Sequence, residues 1–412
     1  MSNRSLNKIV GPGLLFAATA IGVSHLVQST TAGALHGFSM VGFIIAANVF
    51  KFPFFEFGTR YAAATGKTLI HGYAELNKIW LYAYMAVTLV STFFVTATVG
   101  VVTIGFMENL FHLNELTNFP YTTHFLLFGG CLVLLIVGGF SVLENLIKIL
   151  GIILVVSTCI AFVAALIQGP QTPASLFPSF GDSGWLFLIP LMGWMPTAVD
   201  LSTWNSMWTI EKVKQTGYRP TVRESVNEFR FGYWLSAFLA ILFVTMGAML
   251  VYGSGQQVPT NSVEFSAFVI ELYTTSIGKW SFYFISSAAF SIMFSTFIAV
   301  LDGYARAVRT SIEVAFSKSL STKFSFVIIT VIASGSLGLI FLFQELGSFR
   351  LLVDTATTIS FLIAPLIAAL NFRLVMADKI GSENAPGRLL KFVSYCGLVF
   401  LFSFSVWFVF TR

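Results

Sequence analysis

Two stretches of this chain combine helix-breaking residues with side chains able to hold a cation or a small polar solute. The first is Ile21-Gly22-Val23-Ser24-His25, followed by Gln28-Ser29-Thr30-Thr31. The second is Gly193-Trp194-Met195-Pro196-Thr197, followed by Asp200, Ser202, Thr203 and Asn205. A neutral imidazole and a thioether suit borderline and soft metal ions, whereas a carboxylate suits hard ones. His25, Met195 and Asp200 therefore offer nitrogen, sulfur and oxygen donors, and Thr197 adds a hydroxyl. Gly22, Gly193 and Pro196 are expected to open the helices there. A proline cannot donate to the preceding turn, and carbonyls freed by such a break become further oxygen ligands.

Asp200 is the most informative of these residues. A lone Asp at a helix centre in lipid costs about 2.5 to 3.5 kcal/mol, so it should face a cavity or a partner. It follows Thr197 by three residues, which on a continuous helix puts both on one face. It could bind the cation, carry a proton, or simply cap the break. His25 could equally be a packed, hydrogen-bonded group, and Met195 on its own would be unremarkable core. Asp302 and Asp354 are secondary candidates. Arg306 lies four residues after Asp302, so a helix-end ion pair explains that aspartate as well as any function does. Asp354 precedes Thr355, Thr357 and Thr358. Glu144 and Lys148, four apart, are expected to neutralise each other. Lys51, Glu56 and Arg60 around Pro53 are expected to mark the end of a span, where long basic side chains snorkel to the interface.

The elements that must position these groups follow from composition. The 412 residues are 56% hydrophobic and 10% charged, and their 45 Phe outnumber 23 Lys and Arg plus 18 Asp and Glu combined. An ordinary soluble domain is about 25% charged, so lipid has to be the solvent. An all-α polytopic membrane protein follows. Cys131, Cys159 and Cys396 all lie in apolar runs and suggest no disulfide framework. Gly66-Lys67-Thr68 lacks the glycine five residues earlier that a phosphate loop requires, and no enzyme motif was found. The chain is not expected to be an enzyme or to need a resident cofactor.

At about 20 apolar residues per crossing, eleven spans are expected. They begin near Val10, Phe38, Trp80, Tyr121, Ser141, Ser183, Phe229, Trp280, Phe324, Leu351 and Leu389. The stretch from Ile9 to Val27 lacks a signal-peptide cleavage region and is kept as a mature helix. Breaks between spans include His36-Gly37, Gly138-Gly139 and Gly169-Pro170. With the N-terminus in the cytoplasm, the inner loops collect Arg4, Lys8, Arg60, Lys67, Lys78, Lys212, Lys214, Arg219, Arg223, Arg230, Arg306, Arg309, Lys318, Lys323, Arg373, Lys379, Arg388 and Lys391. These are most of the basic residues, and that bias places the N-terminus inside and the C-terminus outside the cytoplasmic membrane. The net charge of +5 then needs no nucleic-acid partner.

The two breaks fall five spans apart. Broken helices at matching places in two halves point to an inverted-repeat transporter with its site near the midplane. One transmembrane domain, 1–412, is expected: repeat one at about 9–168, repeat two at about 183–376, and an extra helix at about 389–410.

The same residues carry a family resemblance. The segment Gly11 to Met40, with its opening Gly-Pro, its Ala32-Gly33-Ala34 and its Gly37-Phe38-Ser39, resembles the first helix of Nramp (natural resistance-associated macrophage protein) divalent-metal transporters. Ala46-Ala47-Asn48 and Ala64-Thr65-Gly66 continue it, and Met195-Pro196 matches the family's M-P-H element. The resemblance implies a LeuT-type 5+5 inverted repeat, in the APC superfamily, with helices 1 and 6 broken. It also implies uptake of manganese or iron(II) coupled to protons. The departures fall on the chemistry. Gly22-Val23-Ser24-His25 stands where the family has D-P-G-N, so its aspartate is glycine and its asparagine histidine. Thr197 replaces the histidine of M-P-H. The third span, Trp80 to Met107, has no Asp or Glu where Nramp proteins carry acidic residues for proton movement.

A carboxylate returns roughly 8 kcal/mol to a divalent ion at 4 Å in an effective dielectric of 20, so its loss at position 22 matters. The leading expectation is a divergent secondary transporter of a cation, a divalent metal before others, with membrane lipid around it and protons or another ion coupled. The alternative is a small organic solute such as an amino acid, for which exposed backbone at Gly22 would hold a carboxylate. A non-transporting sensor on the same scaffold is a third reading.

Overall fold

The computed structural model describes residues 11–137, 140–170, 182–376 and 378–411, and no strand occurs among them. The first half opens with α1 (Pro12–Ala20), whose proline at the helix start needs no hydrogen bond there. After a gap at 21–22, helix resumes at Val23 and a π-helical turn, Ser24–Ser29, leads into α2 (Thr30–His36). Then come α3 (Val41–Thr65), α4 (Leu69–Leu76), α5 (Lys78–Phe111) and the short α6 (Leu113–Thr117). α7 (Thr122–Val137) and α8 (Phe140–Gln168) complete it.

The second half repeats the pattern. α9 (Asp182–Gly193) stops at an unwound stretch, and a single 3-10 turn at Val199–Leu201 precedes α10 (Ser202–Thr216). α11 (Val222–Leu250) starts with Thr221 and Glu224 capping each other's backbone. α12 (Ser262–Ile277), α13 (Phe282–Phe316), α14 (Thr322–Glu345), α15 (Phe349–Met376) and α16 (Arg388–Thr411) follow.

Among the described residues eight helical stretches are long and apolar enough to cross a membrane, and two shorter apolar ones are Thr122–Ile136 and Gly184–Gly193. One of the eight, Ser24–Thr65, joins two expected spans into a single helical run. It bends at Gly37, whose φ of 59° is one that a side chain would resist. Gly138-Gly139 lies outside the described residues, as do the side chains of Glu144 and Lys148.

The packing explains the composition. α13 lies along α5, α2 along α11, α10 along α3 and α9 along α15, so both broken helices sit in the middle of the bundle. Only 28% of the apolar stretch is buried in each of α8 (Gly151–Gln168), α14 and α16, as outward faces must be when the solvent is lipid.

One charge cluster behaves differently from expectation. Glu56 is completely buried in α3, where Arg60 holds it at 2.6 Å and Arg230 of α11 at 2.8 Å. Lys51 does not snorkel: it is 0% exposed. The side chain of Lys51 points across the bundle to three backbone carbonyls of the sixth-helix break.

Candidate functional site

α1 ends because Ile21 leaves helical backbone (ψ 81°), and helix resumes at Val23. α9 ends at Gly193, and Trp194 to Ala198 run unwound, Ala198 being extended. Gly193 is required by close approach: a Cβ there would lie 2.0 Å from the Thr357 carbonyl of α15. At Gly22 the demand is milder, since a Cβ would meet the Thr296 methyl at 3.2 Å.

The two breaks touch. The Ser24 hydroxyl lies 3.0 Å from the Pro196 carbonyl, and Ser29 reaches the Met195 thioether at 3.9 Å. Beside this junction is a cavity lined by Thr19, Ala20, Val23 and Ser24 from the first break and by Trp194, Thr197, Ala198 and Leu201 from the sixth helix. Val95 and Val99 of α5 and Thr296 and Val300 of α13 close it. Four hydroxyl-bearing residues stand among mostly apolar ones, and of these Thr19 donates to the Leu15 carbonyl at 2.8 Å and Thr296 to the Ala18 carbonyl at 3.1 Å. α15 steadies the assembly, with Trp194 Nε1 donating to Ser360 at 2.8 Å. Asn371 donates to Ser202 at 2.7 Å and to the Phe54 carbonyl at 3.0 Å.

Of the expected side-chain donors, Thr197 lines the cavity. The His25 ring is fully engaged, with Nε2 at 2.8 Å from the Ser236 carbonyl of α11 and Nδ1 at 2.7 Å from Ser24 Oγ. A neutral ring here donates from Nε2 and accepts at Nδ1. Asp200 sits in the 3-10 turn, where its Oδ2 accepts from Tyr304 of α13 at 3.0 Å. Because the chain between Thr197 and Asp200 is unwound, the two do not share a helical face as their spacing suggested. His25, Met195 and Asp200 have separate hydrogen-bond partners. No group of three or more His, Cys, Asp or Glu side chains suited to a metal occurs among the described residues.

The secondary candidates divide. Asp302 pairs with Arg306 at 2.7 Å on an exposed face. Asp354 accepts from Gln28 at 3.2 Å, which ties α15 to the polar run after the first break.

Lys51 is the charged residue that the sequence reading placed wrongly. Its Nζ donates to the carbonyls of Met192 at 3.0 Å, Gly193 at 2.9 Å and Thr197 at 2.9 Å. A lysine flanked by Phe50 and Phe52 within a membrane helix was itself the available signal, since a charge at that depth marks a partner or a site. The cavity walls from α5 and α13 carry no such signal, because valine and threonine are ordinary helix surface.

The family model for natural resistance-associated macrophage protein-like (Nramp) sequences matches residues 13–411. The chain belongs to the Nramp family. It is therefore a multi-pass membrane transporter and not an enzyme. Uncharacterized protein PM0681 of Pasteurella multocida (strain Pm70) is 33% identical over 407 residues, covering 97% of this chain and 91% of the relative. A mutant of the manganese transporter of Eremococcus coleocola superposes with a TM-score of 0.71 at 12% identity, over 98% of this chain and 86% of that one. MhsT, in complex with L-phenylalanine, gives 0.62 at 14% identity, over 95% and 98%. This Nramp chain thus has the LeuT-type fold with helices 1 and 6 broken.

Proposed function

We propose that this Nramp member moves a cation, a divalent metal before others, across the cytoplasmic membrane by alternating access, binding it where the two helix breaks meet. The observation that carries this reading is the contact between the breaks, Ser24 against Pro196 and Ser29 against Met195, beside a cavity inside the bundle. Half-helix ends and unwound carbonyls are what such transporters use to hold ions. Met195 offers sulfur, Thr197 and Ser24 offer oxygen, and Asp200 is the carboxylate of the sixth-helix break. Ligation by His25 or Asp200 requires each to give up a present partner, Ser24 or Ser236 for the one and Tyr304 for the other. Protons or another ion would couple the movement.

In this reading the whole chain, 1–412, is one domain of eleven spans with its N-terminus in the cytoplasm and its C-terminus outside. The distribution of lysine and arginine supports that orientation.

One observation favours a second cargo class. The cavity wall has four hydroxyls, the indole of Trp194 and several valines, and glycine stands at position 22. Such a lining offers hydrogen bonds to a small organic solute such as an amino acid, but the free space of about 20 Å³ is that of a single water, so a solute would enter only once the breaks move apart.

Flux into proteoliposomes decides between them. The metal reading expects saturable manganese, iron(II) or magnesium uptake that Asp200→Asn abolishes while the protein stays folded. Uptake of amino acids with no metal flux would replace that reading by the second. Metal flux unchanged in Asp200→Asn would remove Asp200 from the site.

A further inference from the structure

The carbonyls opened by the break in the sixth helix already hold a cation, and it belongs to the chain. The Lys51 ammonium has three protons, and each goes to a carbonyl at 2.9 to 3.0 Å: Met192, Gly193 and Thr197. Met192 and Gly193 are the last residues of α9, whose terminal carbonyls carry the negative end of the helix dipole; that of Met192 also accepts from the Met195 N–H at 3.3 Å. Thr197 lies within the unwound stretch, so one ammonium ties the end of α9 to the open backbone that follows it. No carboxylate among the described residues pairs directly with Lys51. A helix C-terminus plus unwound carbonyls is the ligand set with which broken-helix transporters hold a free monovalent ion.

We propose that Lys51 is a tethered cation seated in a carbonyl site of the alkali or small alkylammonium class, and that its presence closes this site to free monovalent ions. Simple capping would not call for a charge. A buried ammonium is costly unless every proton is met, and a hydroxyl or amide could have served one or two carbonyls more cheaply. What the charge adds is an ion that never leaves, so the break keeps its shape without sodium or potassium. The inference does not depend on which cargo the neighbouring cavity takes.

Thermal unfolding of the purified full-length protein, without cargo, tests it in sodium, potassium, methylammonium and choline chloride at equal ionic strength. The wild type should unfold at one temperature in all four. Lys51→Ala vacates the site; it should unfold earlier in choline and recover by at least about 2 °C in sodium or methylammonium, saturably. Lys51→Met removes the charge but keeps the bulk, and no salt should restore it. Selective stabilisation of the wild type by sodium or potassium would overturn the proposal, because the site would then be open. So would a Lys51→Ala protein indifferent to the four salts. If that variant folds only when purified in methylammonium chloride, the proposal stands; if it does not fold there either, the proposal fails.

Discussion

The hydroxyl oxygen of Ser24 lies 3.0 Å from the carbonyl oxygen of Pro196 and 2.7 Å from Nδ1 of His25. The hydroxyl has a single proton, for which the imidazole nitrogen, the Pro196 carbonyl of the sixth break and the Ala20 carbonyl at 2.8 Å compete. Ser24→Ala leaves the ring nitrogen without its partner in a site closed to water, at a cost of about 1 to 3 kcal/mol. Denaturant or thermal unfolding should register that loss, and cargo flux should fall with it. A variant as stable as the wild type would show that the Ser24 link does not contribute to folding.

The two glycines at the breaks should respond unequally to alanine. At Gly193 the new methyl meets backbone at 2.0 Å, and backbone of α15 cannot step aside; at Gly22 it meets a methyl at 3.2 Å. Gly193→Ala should cost at least about 3 kcal/mol and yield little folded protein, whereas Gly22→Ala should cost under about 1.5 kcal/mol. Size-exclusion profiles and Tm values of the two variants make the comparison. Equal behaviour would mean that α15 is less closely packed on the break.

Glu56 is the buried centre of a three-residue ion cluster. Removing its charge strands Arg60, only 11% exposed, and releases Arg230, whose side chain is 42% exposed. Glu56→Gln should therefore cost roughly 3 kcal/mol, and Arg230→Ala no more than about 1 kcal/mol. The double variant should lose less than the sum, since both changes break one network. Strict additivity in Tm or denaturation midpoint would argue against the cluster.

Glu228 of α11 accepts from the backbone N–H groups of Gly11 at 2.9 Å and Gly13 at 2.7 Å. A carboxylate on a helix N-terminus is favoured by the dipole as well as by the hydrogen bonds. Glu228→Gln should loosen α1 by about 1 to 2 kcal/mol, seen as faster amide exchange across Pro12–Ala20 with α13 unaffected. Unaltered exchange in α1 would show that other contacts anchor it.

Much of this architecture was legible beforehand because its causes are local. Hydropathy of a 20-residue window, a proline without an N–H, and a glycine beside serine and histidine act within a turn or two of themselves. Hence the membrane class, the breaks after Ala20 and Gly193 and the family resemblance could all be read from letters. Reading Thr197 and Asp200 as neighbours on one face failed for the same reason inverted: the spacing rule holds only on helix, and Pro196 had already removed the helix.

The amino-acid order by itself determined that this chain lives in lipid, where it comes unwound, and which polar groups are too costly to leave unpaired there. It could not say which group meets which. Lys51 and Gly193 stand 142 residues apart, His25 and Ser236 211 apart, and Asp200 and Tyr304 104 apart. Those pairings, and the hydroxyl-lined cavity beside them, exist only once α3, α11 and α13 have packed against the two breaks, because a buried charge or imidazole takes the partner that packing brings within 3 Å.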